Sequence, residues 1–278
     1  MKKSLVIGAI ALLALSACDP NPFELPPILL ETRASWSPDG GTIAYYRCQV
    51  YGSDTAGIWL IDTSGANNRY LCPALSADWS PDGERLVICT PDWNICLIDK
   101  DGANFEYLVH DWSSVSPTWS PDGKWVAFAR PFGSGSSIIN VETLEQKRIP
   151  GGGGGYGWSP DSKQLTYAYT PTDTIFLKIV SLENMEVKII FQNDKDRYGS
   201  ISPPPRWSPD GERILFQMGM SIWKVDTTGR NLRRLARNAV EPNWSPDGKK
   251  IVYTPYEDSA QLWIMNSNGW CKRPLLKK

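Results

Sequence analysis

Six copies of one short motif organise this chain. Trp36-Ser37-Pro38-Asp39-Gly40 recurs from Trp79, Trp119, Trp158, Trp207 and Trp244, and the only deviation inside it is Ser162 where the other copies have Gly. Successive motif tryptophans lie 43, 40, 39, 49 and 37 residues apart, the period of a four-stranded propeller blade. Within each copy a Trp ends one strand, Ser-Pro-Asp-Gly turns the chain, and an apolar run such as Thr42-Ile43-Ala44-Tyr45 begins the next strand, which is a hairpin. Pro presets φ, Asp accepts from nearby backbone N–H groups, and Gly takes the positive-φ position, so a three-residue loop with a bulge is expected. A turn accounts fully for each of the six Asp residues.

Every repeat continues alike. A loop leads to a strand typified by Ile58-Trp59-Leu60-Ile61-Asp62, then a turn such as Thr63-Ser64-Gly65 and a closing strand through Arg69-Tyr70-Leu71. Six such meanders predict an all-β fold, a six-bladed β-propeller of four-stranded antiparallel blades. The ring is expected to close either by Ile28 to Thr32 pairing onto blade six, the favoured arrangement, or by packing alone against a blade six completed through Leu275.

Trp-Ser-Pro-Asp-Gly followed by strands like Ile43-Ala44-Tyr45 and Ile58-Trp59-Leu60-Ile61-Asp62 resembles the TolB-type propeller repeat of bacterial envelope proteins, found also in the propellers of prolyl-oligopeptidase-like and tricorn-like proteases. The resemblance spans Arg33 to Leu275. It implies a periplasmic module that binds a protein or peptide. TolB proper carries a further N-terminal domain that these repeats do not include, so a related propeller rather than a Tol-Pal component is implied. Oligogalacturonate-lyase-type enzymes resemble the repeat too, which keeps a carbohydrate-binding or sugar-active propeller as the alternative.

Met1-Lys2-Lys3 and the apolar run Leu5 to Ala14 form the pattern of a secretory signal peptide. Leu15-Ser16-Ala17-Cys18 resembles the bacterial lipobox, implying residues 1–17 as a lipoprotein signal and Cys18 as the lipidated residue. Asp19 in that position implies retention at the inner membrane in enterobacteria. The proline-rich stretch from Pro20 to Pro27 suits a tether, with the propeller over residues 32–278. Contact with the membrane is expected through the lipid anchor only.

Without residues 1–17 the chain has 27 basic and 30 acidic residues, a net charge of about −3, and its Lys and Arg are scattered. That balance does not call for nucleic acid. A monomer without cofactor is expected. Five cysteines besides Cys18 leave at least one thiol unpaired, and Cys89 with Cys96, on neighbouring strands of blade two, is the candidate disulfide. No C-x-x-C pairs occur and His110 is the only His, a poor set for a metal or for a Ser-His-Asp triad, and no Gly-x-Ser-x-Gly elbow is present. The Gly151 to Gly155 run lacks the Lys-Ser/Thr ending of a phosphate loop.

Six of the thirteen tryptophans stand in the motif, and Trp59, Trp223 and Trp263 share one place in the third strand, so these are expected in the interblade core. The irregular aromatics are Trp93, Trp112, Tyr51, Tyr156, Tyr169, Tyr198, Tyr256 and Trp270. In an up-and-down blade the short repeated turns fall on one face and the irregular loops on the other, and insertions gathered on one face often mark a binding side. The candidate binding residues there are Tyr51, Trp93, His110, Trp112, Arg130, Arg197, Tyr198 and Tyr256, with Trp93 and Trp112 as anchors.

Overall fold

The computed structural model describes residues 28–50, 56–130, 135–150, 155–171, 173–194, 199–201, 204–256 and 261–275. Six four-stranded antiparallel sheets follow one another, each in simple chain order. Blade one comprises β1 (Ile28–Trp36), β2 (Thr42–Val50), β3 (Gly57–Asp62) and β4 (Arg69–Cys72). Blade two comprises β5 (Ser76–Trp79), β6 (Arg85–Cys89), β7 (Ile95–Asp99) and β8 (Glu106–Val109). Blade three is β9 (Val115–Trp119), β10 (Trp125–Ala129), β11 (Ser136–Asn140) and β12 (Gln146–Ile149). Blade four is β13 (Gly157–Trp158), β14 (Gln164–Tyr169), β15 (Thr174–Ser181) and β16 (Val187–Asp194). Blade five is β17 (Arg206–Trp207), β18 (Arg213–Met218), β19 (Ser221–Asp226) and β20 (Arg233–Arg237). Blade six is β21 (Ala239–Trp244), β22 (Lys250–Pro255), β23 (Trp263–Asn266) and β24 (Arg273–Pro274). No helix occurs among the described residues.

Packing explains why the second strands read as unbroken apolar runs. Ile43, Ala44 and Tyr45 are wholly buried, as are Leu86, Val87 and Ile88, because each blade is covered on both sides by its neighbours. One apolar cluster fills each of the six interfaces. The motif Trp of each blade points back into the interface with the preceding blade; Trp79 packs among Ile58 and Leu60, and Trp119 among Val87 and Leu97. Trp59, Trp223 and Trp263 are only partly buried against these clusters.

The turn is built around its Ser. In all six copies the Ser Oγ donates to the Asp Oδ1 at 2.5–2.7 Å. The same Oγ accepts the backbone N–H that opens the next strand, at 2.9 Å. Asp Oδ1 also accepts an N–H two residues on, as Gly41 N to Asp39 at 2.9 Å. Ser37 N to Thr42 O at 2.8 Å closes four residues, one more than the expected loop. Gly40 bonds back to Ser37 O with φ at +71°, and Ser162 adopts the same conformation at +59°.

The favoured closure is not the one observed. β1 is the first strand of blade one, and blade six is complete from its own strands, with Leu275 N bonded to Leu262 O at 2.8 Å. The ends meet through the apolar cluster of Trp36, Ile43, Val252 and Ile264 and through side-chain bonds. Thr254 Oγ1 donates to Glu31 O at 2.7 Å, Leu262 N to Glu31 Oε2 at 3.0 Å, and Asn243 Nδ2 to Ala34 O at 3.0 Å. The ring begins earlier than residue 32, since Ile28 to Glu31 pair with Arg47 to Val50.

Cys89 and Cys96 do not form the expected disulfide. Cys89 pairs with Ile95 and Ile88 with Cys96, so the two cysteines are one residue out of register and point to opposite faces of the blade. Cys89 faces blade three and Cys96 faces blade one. Both are free thiols, as are Cys48, Cys72 and Cys271, and burial pushes Cys89 up to about 11 and Cys96 to about 12.

Candidate functional site

The two faces of the ring differ in construction. On one, every turn between third and fourth strands bonds to the Ser-Pro-Asp-Gly turn of its own blade, as Thr63 N to Gly41 O at 3.1 Å and Lys100 N to Glu84 O at 3.0 Å. Neighbouring turns also touch: a Cβ on Gly83 would meet Pro38 at 3.5 Å and one on Gly248 would meet Pro209 at 3.5 Å. This face is closed by repeated contacts. A groove of about 750 Å³ lies beside it between blades four and five, but two of its three acids, Asp161 and Asp210, are held by Ser159 and Ser208. The Ser159 hydroxyl, against burial, holds the Asp161 carboxyl below the ordinary range; burial pushes Asp210 up, but Ser208, the Glu212 N–H and Arg213 together outweigh it and hold that carboxyl low as well.

A polar ring lines the axis. The residue before each motif Trp faces the central channel, a recess of about 200 Å³, giving Ser35, Asp78, Thr118, Gly157, Arg206 and Asn243. Asp78 accepts from Ser35 Oγ at 2.7 Å, Thr118 Oγ1 at 3.0 Å and Trp119 N at 2.9 Å. Arg206 Nη1 donates to Thr118 Oγ1 at 3.3 Å. Sequence reasoning passed over this set, although a position that changes chemistry in every repeat beside an invariant Trp was a usable signal.

On the other face the structure brings four of the sequence candidates together, where blade two passes into blade three. The loop from β6 to β7 turns tightly, with Trp93 N bonded to Thr90 O at 3.0 Å. It is joined to the connection after β8 by Ser114 N to Trp93 O at 2.9 Å and by Trp112 N to Asn94 Oδ1 at 3.1 Å. Trp93 and Trp112 both have positive φ, +58° and +53°, a conformation that bulky residues adopt rarely and only where surrounding bonds hold it. Trp112 stands 68% exposed and Trp93 is half-buried.

Arg130 acts as a clamp here rather than a free cation. Its Nε donates to Asp111 Oδ2 at 2.7 Å, Nη1 to Ser137 Oγ at 2.9 Å and Nη2 to Gln146 Oε1 at 3.2 Å, over the face of Phe128. Asp111 also accepts from Ser114 Oγ and Ser113 N. Burial pushes its carboxyl up, but Arg130 and the two serines outweigh that and hold it below the ordinary range.

His110 stacks on Tyr107, centroids 4.6 Å apart, and meets Trp112 edge-on at 5.6 Å, while Tyr107 meets Phe105 edge-on at 5.2 Å. The exposed rings thus run from the loop face down the rim of blade two. Phe105 and Tyr107 escaped sequence reasoning because they stand at a regular fourth strand. Tyr156 is wholly buried against Tyr167, a core residue. Tyr256 belongs to blade six, three blades round from blade three, with its N bonded to Asn238 O. Tyr51, Arg197, Tyr198, Cys18 and Gly151 to Gly154 lie outside the described residues. No group of three His, Cys, Asp or Glu able to hold a metal occurs among the described residues.

Residues 89–269 match the TolB beta propeller domain. The chain belongs to the TolB beta propeller family. A curated relative, an uncharacterized peptidase of Bacillus subtilis, is 29% identical over 71% of this chain but 31% of its own length. An uncharacterized protein of Agrobacterium fabrum is 26% identical over 65% of this chain and 67% of that one. The chain therefore spans less than a third of the peptidase that it matches. Among solved structures, TolB from Acinetobacter baumannii superposes with a TM-score of 0.67 at 19% identity, over 95% of this chain and 66% of that one. An oligogalacturonate lyase in complex with manganese gives 0.58 at 11% identity, over 86% and 90%. At these identities the likeness is one of fold, and TolB-like propellers share that fold with proteins of unrelated activity.

Proposed function

We propose that this TolB-like propeller is a noncatalytic, lipid-anchored module of the cell envelope that binds a protein or peptide partner through its loop-rich face. The observation that carries this reading is Trp112. Its indole stands in solvent on a backbone of positive φ, pinned by Asn94 and by the Asp111–Arg130 clamp. A large exposed ring held rigidly loses little conformational freedom on binding, which is the property of an interface anchor. Trp93 and His110 flank it, and Arg130 positions the loop. The signal-like leader and Cys18 support the envelope location, with the lipid as the only membrane contact and a monomeric ring.

The test is crosslinking from a photoreactive group placed at Ser113, followed by affinity measurements on the partner recovered. Trp112→Ala and Trp93→Ala are expected to weaken binding by at least tenfold, while Asp62→Ala and Asp226→Ala on the opposite face leave it unchanged. Loss with the second pair alone would reverse the assignment of the binding face. Binding on a glycan array, abolished by Trp112→Ala, would give the site to a saccharide instead.

A further inference from the structure

The outer strand of a propeller blade is a sheet edge, and natural edges are protected by cations, prolines or bulges against pairing with another chain. Five of the six outer strands here carry a cation: Arg69 in β4, Lys147 in β12, Lys188 in β16, Arg233 in β20 and Arg273 in β24. β8 reads Glu-Tyr-Leu-Val and has none; like β4, β16 and β20 it carries a bulge, at Leu108, but those three strands have their cation as well. Its one charge, Glu106, is turned to Arg85 at 3.1 Å, and among the described residues it ends its sheet with β7 as its only strand neighbour. Phe105 and Tyr107, two residues apart and in edge contact, are 49% and 52% exposed, and the strip runs on through His110 to Trp112.

From this we infer that β8 is a docking edge on which an extended peptide segment of a partner protein pairs as a fifth strand of blade two, its side chains lying along Phe105, Tyr107, His110 and Trp112. Strand addition takes affinity from main-chain bonds and specificity from alternate side chains. Because Glu106 and Asp111 are both ion-paired, the strip is electrically neutral and fits an uncharged segment with apolar or aromatic residues at alternate positions. The area argues for a segment rather than a second copy. At their observed exposures Phe105, Tyr107 and Trp112 offer roughly 300–400 Å², well short of the ~800 Å² per partner of a stable protein interface. The inference rests on the proposed protein-binding function and names its mode.

The experiment uses the full chain with a pool of octapeptides alternating Val, Ile, Phe or Tyr with Ser or Thr, and the same peptides N-methylated at alternate amides. The unmethylated binders are expected to slow amide exchange across residues 106–109, and Tyr107→Lys to weaken them at least tenfold, while Trp270→Ala changes nothing. Methylated peptides should fail, since aromatic stacking survives methylation and strand pairing does not. Equal binding by methylated peptides, no binder in the pool, or unchanged exchange in β8 when a peptide binds would each overturn the proposal. So would a dimer of the parent chain that Tyr107→Lys dissolves, which would give the edge to a second copy. A partner crosslinked at Ser113 whose binding leaves β8 exchange untouched would defeat strand addition alone. A partner bound to the Ser-Pro-Asp-Gly face would defeat the underlying function as well.

Discussion

Ser80→Ala tests the part of the repeat that the hydrogen bonds single out. Ser80 is buried, and its Oγ donates to Asp82 Oδ1 at 2.6 Å and accepts Arg85 N at 2.9 Å. The substitution leaves the Arg85 N–H without its acceptor inside a hairpin, which costs about 1–3 kcal/mol. Asp82 loses a donor too, but it faces solvent, so that part counts for under about 1 kcal/mol. We expect about 2 kcal/mol in all, a fall in Tm of about 4–8 °C for a chain of this size, read by calorimetry and by urea melts. The loss should depend on pH. The Ser80 hydroxyl, then the Glu84 N–H, holds the Asp82 carboxyl below the ordinary range. A depressed folded pKa means stability that is present above the unfolded carboxylate pKa and lost as pH falls through the folded value. The gap between parent and variant should therefore narrow in acid without vanishing, because the Arg85 share does not titrate. Ser208→Ala in blade five, far from blade two, should add to it within about 0.5 kcal/mol. An unchanged midpoint at pH 7, or a gap constant into acid, would refute the reasoning.

Three more predictions rest on named contacts. Trp119→Ala removes a ring that is 8% exposed among Val87, Leu97 and Phe128 and should cost about 3–5 kcal/mol in urea melts; a small change would mean that the ring contributes little to the joint between blades. Ser162→Gly relieves a positive φ, worth up to about 1 kcal/mol, but deletes the bond from Asp122 N to Ser162 Oγ at 3.0 Å, worth about as much, so the midpoint should hardly move, and a gain of a full kcal/mol would show that the interblade bond is idle. Glu31 is wholly buried, Oε1 lacks a partner, and burial raises its carboxyl against the pull of the Leu262 N–H and Arg47. A raised folded pKa means stability present below the unfolded pKa and lost as pH rises through the folded value, so Glu31→Gln should gain on the parent from about pH 5 upward and lead at pH 8; a less stable variant at pH 8 would show that Arg47 neutralises the charge.

Local pattern carried the architecture. Blade number, strand order and the burial of five of the six motif tryptophans, Trp207 being only partly buried, follow from a repeat whose copies each obey short-range turn chemistry and strand periodicity, and these survive without knowledge of neighbours. The assignment of short turns to one face and irregular loops to the other follows from strand alternation within a blade. Local pattern could not supply register. A shift of one residue sends Cys89 and Cys96 to opposite faces and cancels their disulfide, and register is set by pairing partners rather than by spacing.

The way the ring closes and the composition of the candidate site were decided in three dimensions. β1 takes the inner place in blade one because Ile28 to Glu31 find partners in Arg47 to Val50, and the ends are then joined by side chains more than two hundred residues apart, as Thr254 Oγ1 to Glu31 O. Arg130 reads in the sequence as a cation free for a ligand, yet blade three supplies Ser137 and Gln146 and the connection from blade two supplies Asp111 to occupy it. Phe105 and Tyr107 read as ordinary strand residues until the sheet order leaves β8 at an edge with no cation. What each repeat becomes could be read from its residues, because that is governed by bonds within about forty residues. Which side chains meet between repeats was left to the tertiary structure, because those contacts depend on how the blades pack around the axis.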